Sequence, residues 1–88
     1  DTVNPVLTFT SSSAWTTFGN AVTFTGTCES GLGNIVIGGT DSGNTPCSSG
    51  TWSYTVATQT TNANRSYSMT LTDMAGNSTV VNGSWSRT

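Results

Sequence analysis

The stretch from Ser66 to Thr79, S-Y-S-M-T-L-T-D-M-A-G-N-S-T, leaves this chain few folds to choose from. Tyr67, Met69 and Leu71 fall at every second position, with Ser68, Thr70 and Thr72 after them. A period of two sets the first group on one side of an extended chain and the second on the other, one face dry and one wet. The D-M-A-G-N that follows reads as a turn. Asp73 can accept backbone N–H groups from the residues just after it, and Gly76 can take positive φ with no Cβ to clash. A connection of this length with a late Gly fits a bulged hairpin. Val80 and Val81 then open a return strand. The hairpin becomes the centre of a small antiparallel sandwich whose other strands must cover Tyr67, Met69 and Leu71.

The same alternation recurs along the chain. Pro5 restrains Asn4 to an extended shape and leads into a strand from Val6 to Thr10, with Leu7 and Phe9 inward. Ala21 to Cys28 has the cleanest pattern: Val22, Phe24, Gly26 and Cys28 share one face, and Thr23, Thr25 and Thr27 the other. Asn34 to Gly38 is a short strand carrying Ile35 and Ile37. Trp52 to Thr58 alternates again, with Trp52, Tyr54 and Val56 inward. The last strand runs from about Thr79 to Ser86, with Val81 and Trp85 inward. Ser11 to Asn20 reads as a loop carrying Trp15 and Phe18, Gly39 to Gly50 as a loop rich in Gly, Ser and Asn, and Gln59 to Asn64 as a polar turn. The predicted core is Leu7, Phe9, Val22, Phe24, Ile35, Ile37, Trp52, Tyr54, Tyr67, Met69, Leu71, Val81 and Trp85. Nothing repeats with helical periodicity. Six or seven short strands separated by turn signals predict an all-β sandwich or barrel, and 88 residues predict one domain over 1–88.

A core of this size is thin and commonly needs a staple. Cys28 and Cys47 supply two sulfurs. With no His in the chain they make a poor zinc site, which usually takes four Cys or His ligands. A Cys28–Cys47 disulfide is the better reading, with two buried free thiols as the other. A bridge would place the protein outside the reducing cytoplasm.

Charged residues make up only 7% of the chain, and Arg65 and Arg87 are its only cations. No basic footprint for nucleic acid exists, and no polybasic membrane contact. No apolar run approaches the ~20 residues of a spanning helix, so no membrane insertion is expected. Thr and Ser, about a third of the residues, show hydroxyls to water in place of charges. A Ser nucleophile would need a base, and there is no His or Lys to serve. Asp1, Glu29, Asp41 and Asp73 are scattered and signal no paired-carboxylate site. The expectation is a non-enzyme.

G-T-W-S-Y-T (Gly50 to Thr55), followed by Y-S-M-T-L-T-D-M-A-G-N (Tyr67 to Asn77), resembles the bacterial Ig-like domains that repeat in large surface adhesins and fibrous extracellular proteins. The D-T-V-N-P start looks like that family's repeat boundary, and V-T-F-T-G-T (Val22 to Thr27) like its second strand. The resemblance spans essentially the whole chain. It implies an Ig-like Greek-key β-sandwich of about seven antiparallel strands, acting as a spacer or stalk unit in cell adhesion, or as a ligand-binding tip. Cys28 and Cys47 depart from the family's usual pattern, and a bridge between them would not be the inter-sheet bond of antibody domains. The implied location is extracellular, at the bacterial cell surface. The implied partners are neighbouring domains of the same polypeptide. With no leader sequence in view, the chain reads as a unit cut from a longer string.

Two sets of site residues follow. In the tip reading, the bridge pins the loop 39–50, which presents Asp41, Ser42 and Asn44, with Trp15, to a glycan or protein on a target cell. A pinned polar loop loses little entropy on binding. In a calcium reading, Asp1, Asp73 and Asn77 gather at one end of the sandwich with backbone carbonyls. The competing account of Asp73 is a turn cap, and of the aromatic residues Trp15 and Phe18 a lid over the open end of the core. No other cofactor is expected.

Overall fold

The computed structural model describes residues 3–88. Among them are eight β-strands and no helix. The strands are β1 Leu7–Phe9, β2 Ala14–Thr17, β3 Thr23–Cys28, β4 Asn34–Gly39, β5 Gly43–Pro46, β6 Thr51–Thr55, β7 Asn64–Thr72 and β8 Ser78–Arg87. They form two sheets: β1-β3-β6, and β2-β8-β7-β4-β5. All pairs are antiparallel except β2 with β8, which run parallel.

The inward residues of both sheets meet in one core of Leu7, Val22, Phe24, Cys28, Ile35, Ile37, Trp52, Val56, Tyr67, Met69, Leu71 and Trp85. Phe9, Tyr54 and Val81, predicted with this group, are only partly buried and pack against its margin. Phe24 links the layers, tilted against Phe9 of its own sheet at 5.7 Å and against Tyr67 of the facing sheet at 5.6 Å between ring centroids. The central hairpin forms as the alternation requires: β7 pairs with β8 over nine residues, from Asn64↔Ser86 to Thr72↔Ser78.

Two of the expected loops are corrected. Ser11–Asn20 is not all loop, because Ala14–Thr17 joins β8 as the edge strand β2. Ser11 ends the β1 side by exchanging bonds with Thr25, and Ser12 turns the chain through its hydroxyl contacts with Ala14. The chain thereby steps from one sheet to the other. Gly39–Gly50 is not all loop either: β5 pairs with β4 from Asn34↔Pro46 to Ile37↔Gly43. These two strands raise the count above the seven expected. The strand expected over Trp52–Thr58 keeps its ladder only to Thr55, although Val56 still donates to the Val22 carbonyl.

The bridge is formed. Cys28 and Cys47 are joined, with Cα atoms 6.1 Å apart and a sequence separation of 19. It ties the end of β3 in one sheet to the residue after β5 in the other. Closing a loop of this size stabilises by roughly 3 kcal/mol in the chain-entropy account.

Pro5 accepts a hydrogen bond from the Thr79 hydroxyl at the start of β8, and Thr88 donates to Thr17 beyond its end. The first described residues and the last therefore lie at opposite ends of a ten-residue strand, roughly 30 Å apart at the usual rise of an extended chain. The molecule measures 43 × 21 × 17 Å.

Candidate functional site

Asp41 lies just past the end of β4, and its carboxylate turns inward. The residue is buried. Its Oδ2 accepts from the Tyr54 hydroxyl at 2.6 Å and from the Ala57 backbone N–H at 2.8 Å. Burial, then the bond to Asp41, pushes the Tyr54 phenol up to about 12. Burial also raises Tyr67, with the Asp41 charge adding to it and Arg65 opposing. Asp41 thus joins the loop after β4 to the chain leaving β6. It is an internal fastening, and its carboxylate does not face outward from the pinned loop.

Ser42 and Asn44 are exposed, and the Asn44 side chain accepts from the Asn34 amide at 3.1 Å across the β4–β5 pair. Trp15 lies elsewhere. It sits on β2, at the opposite edge of the five-stranded sheet from β5, and packs against the core beside Trp85. Asp41, Ser42, Asn44 and Trp15 are therefore not brought together. Spacing in the sequence could not separate them, because a polar loop and a short edge strand look alike when only one side chain is apolar.

Asp73 caps its turn. Its Oδ1 accepts from the Ala75 and Asn77 backbone N–H groups at 3.0 and 2.8 Å, and its Oδ2 from the Asn77 side-chain amide at 3.1 Å. The Asn77 amide, ahead of the backbone donors, holds the Asp73 carboxyl below its ordinary value. Gly76 adopts φ of 92°, as the turn requires. Asp1 lies outside the described residues. Among those described, no three metal-ligating side chains cluster.

A trough of about 520 Å³ runs over the β3–β6 pair beside β5. Thr25, Thr27, Thr51 and Ser53 line its floor, and Thr45 and Pro46 form one bank. Thr45 donates to the Ser53 carbonyl at 2.6 Å, which fixes that bank to β6. No ionisable side chain lines the trough. Its hydroxyls offer neutral hydrogen bonding and no acid, base or charged nucleophile.

Both arginines lie near the C-terminal end. Arg87 is buried, an unusual fate for a cation without a carboxylate. Neutral oxygens surround it: Gly19 O accepts from Nε at 2.5 Å, Asn62 Oδ1 from Nη1 at 2.7 Å and Asn20 Oδ1 from Nη2 at 3.3 Å. Its guanidinium also lies 5.1 Å from the Phe18 ring centroid. Arg65 lies 5.4 Å from the Trp85 ring and donates to Thr61. Sequence reasoning missed the Arg87 cage, although the position continues the inward parity of Val81, Gly83 and Trp85. The chain matches no protein-family model and no curated protein.

Proposed function

We propose that this chain is an extracellular Ig-like module of a bacterial surface adhesin or fibre, serving as a spacer or stalk unit. The observation that carries this reading is the placing of its ends. Polypeptide enters beside Thr79 and leaves beyond Arg87, at opposite ends of β8 in a body 43 Å long and 21 Å wide. A unit threaded this way adds length to a string along its own axis. The strand order supports an Ig-like reading. β2, the short strand that switches sheets, lies against β8, and β3 and β6 pair across the other layer. The disulfide supports an oxidising location. The hydroxyl-rich, nearly chargeless surface suits a part that stays soluble without attracting nucleic acid or lipid.

A spacer also has to carry load. Pulling on the two ends acts along β8. The hydrogen bonds of the β2–β8 and β7–β8 ladders lie across that direction, so they resist together and not one after another. The test is to read the coding sequence on both sides of this stretch. Units of the same pattern on both sides are expected. Flanks without any such unit overturn the spacer reading in favour of a single recognition domain.

A further inference from the structure

The two ends of the sandwich carry opposite charge. At the C-terminal end sit Arg65 and Arg87, whose hydrogen-bond acceptors are all neutral oxygens. The carboxylate of that end, Asp41, is buried and turned inward to Tyr54 and Ala57, so two cations against one carboxylate leave an excess of one positive charge. At the N-terminal end sit Asp73, in the β7–β8 turn, and Glu29, whose backbone N–H bonds Val6. Each end also exposes a large apolar side chain at its tip. Phe18, 81% exposed, covers Arg87 at one end, and Met74, 96% exposed, stands on the turn of Asp73 at the other. These are the two most exposed large apolar residues among those described. Neither contributes to the core, and the turn at Met74 would form equally well with a polar residue there.

We infer that consecutive units dock end to end, with the Phe18–Arg87 end of one copy seated on the Met74–Asp73 end of the next copy of this chain. The inference rests on the spacer reading, in which such ends face one another along the string. Charge complementarity fixes which end meets which: like ends repel, and only a head-to-tail order pairs cations with carboxylates. The orientation matches the threading, since the chain leaves one copy at its cationic end and would enter the next at its anionic end. An end 21 × 17 Å across falls well short of the ~800 Å² per partner of a stable free-standing interface. Free copies should therefore stay monomeric. Tethered copies meet at a local concentration in the millimolar range, where a weak contact is populated. The joint is a property of the string.

The experiment is small-angle X-ray scattering from a fusion of two copies, Thr88 followed directly by Asp1. It is compared with the single chain and with a fusion carrying a flexible Gly/Ser spacer. The direct fusion is expected to scatter as one straight rod, with a maximum dimension about twice that of the single chain. In 1 M salt, where charges are screened beyond about 3 Å, its distance distribution should broaden toward that of the spaced fusion. Met74→Lys in the second copy should broaden it at low salt, and Met74→Ser should do so more weakly. Both variants alter a fully solvated side chain, so the melting temperature of the single chain should not move. A direct fusion as flexible as the spaced one overturns the docked joint, as does a rod indifferent to both Met74→Lys and salt. Either result leaves the spacer reading standing, because the neighbouring coding sequence decides that separately.

Discussion

Asp41 is the buried carboxylate among those described, and its two bonds tie together segments thirteen and sixteen residues apart. Asp41→Ala would leave the Tyr54 hydroxyl and the Ala57 N–H without their shared acceptor. Bonds to a charged group contribute about 1.5–3 kcal/mol each, and the loss includes stranded donors. The expected cost is about 3 kcal/mol, measured as a lower urea midpoint at unchanged slope. The phenols give a pH signature. Tyr54, raised from 10.0 to about 12, binds its proton more tightly folded than unfolded. Its contribution is therefore complete below pH 10 and is lost as pH climbs toward 12. Absorbance of tyrosinate against pH should show neither tyrosine ionising at its ordinary value in the folded protein, and Asp41→Asn should move Tyr54 back down. Asp73 behaves in the opposite sense. Its lowered pKa supplies stability above the unfolded carboxyl value of about 3.8, lost as pH falls through the folded value. Asn77→Ala should return the Asp73 titration, followed by NMR of its side-chain carbonyl, toward the ordinary range.

β3 is the strand with least tolerance. Gly26 sits between Phe9 of β1 and Trp52 of β6. The Trp52 indole reaches past it to donate to the Thr8 carbonyl at 3.1 Å. A Cβ on Gly26 would come within 1.7 Å of the Thr8 oxygen and 2.5 Å of the indole nitrogen. Gly26→Ala should therefore break that bond and push β1 away, at 3 kcal/mol or more on the scale of overpacked cores. Thermal unfolding of the variant checks this. The turn before β6 offers the reverse. Ser49 and Gly50 both hold positive φ, 54° and 82°, between the mutually bonded Ser48 and Thr51. Hairpins of this shape favour Asn-Gly. Ser49→Asn should raise stability by a few tenths of a kcal/mol to ~1 kcal/mol, read as a higher melting temperature. Six of the strands were legible because their apolar residues repeat at every second position. β2 and β5 were not. Each is four residues at a sheet edge, and their inward positions include Trp15 in one and a hydroxyl, Thr45, in the other. The inward fastening by Asp41, a residue the loop's polarity assigns to an outward ligand contact, is illegible for a related reason: a buried carboxylate answering a tyrosine thirteen residues away leaves no periodic trace.

The molecule as a whole is a two-layer stack in which the bridge from Cys28 to Cys47 is the one covalent tie between layers besides the backbone itself. The two cysteines stand nineteen positions apart, and β4 and β5 lie wholly inside that span. In a chain drawn out from its two termini, tension bypasses those residues as long as the sulfurs stay joined. Each would otherwise lengthen the unravelled polymer by about 3.3–3.6 Å. An oxidised unit that gives way in an atomic-force tether should consequently pay out roughly 60 Å less thread than a reduced one. The clasp thus acts as a reel stop: it rations how far a single failure can slacken the line, and it keeps two of the five-stranded layer's strands from being wholly unspooled.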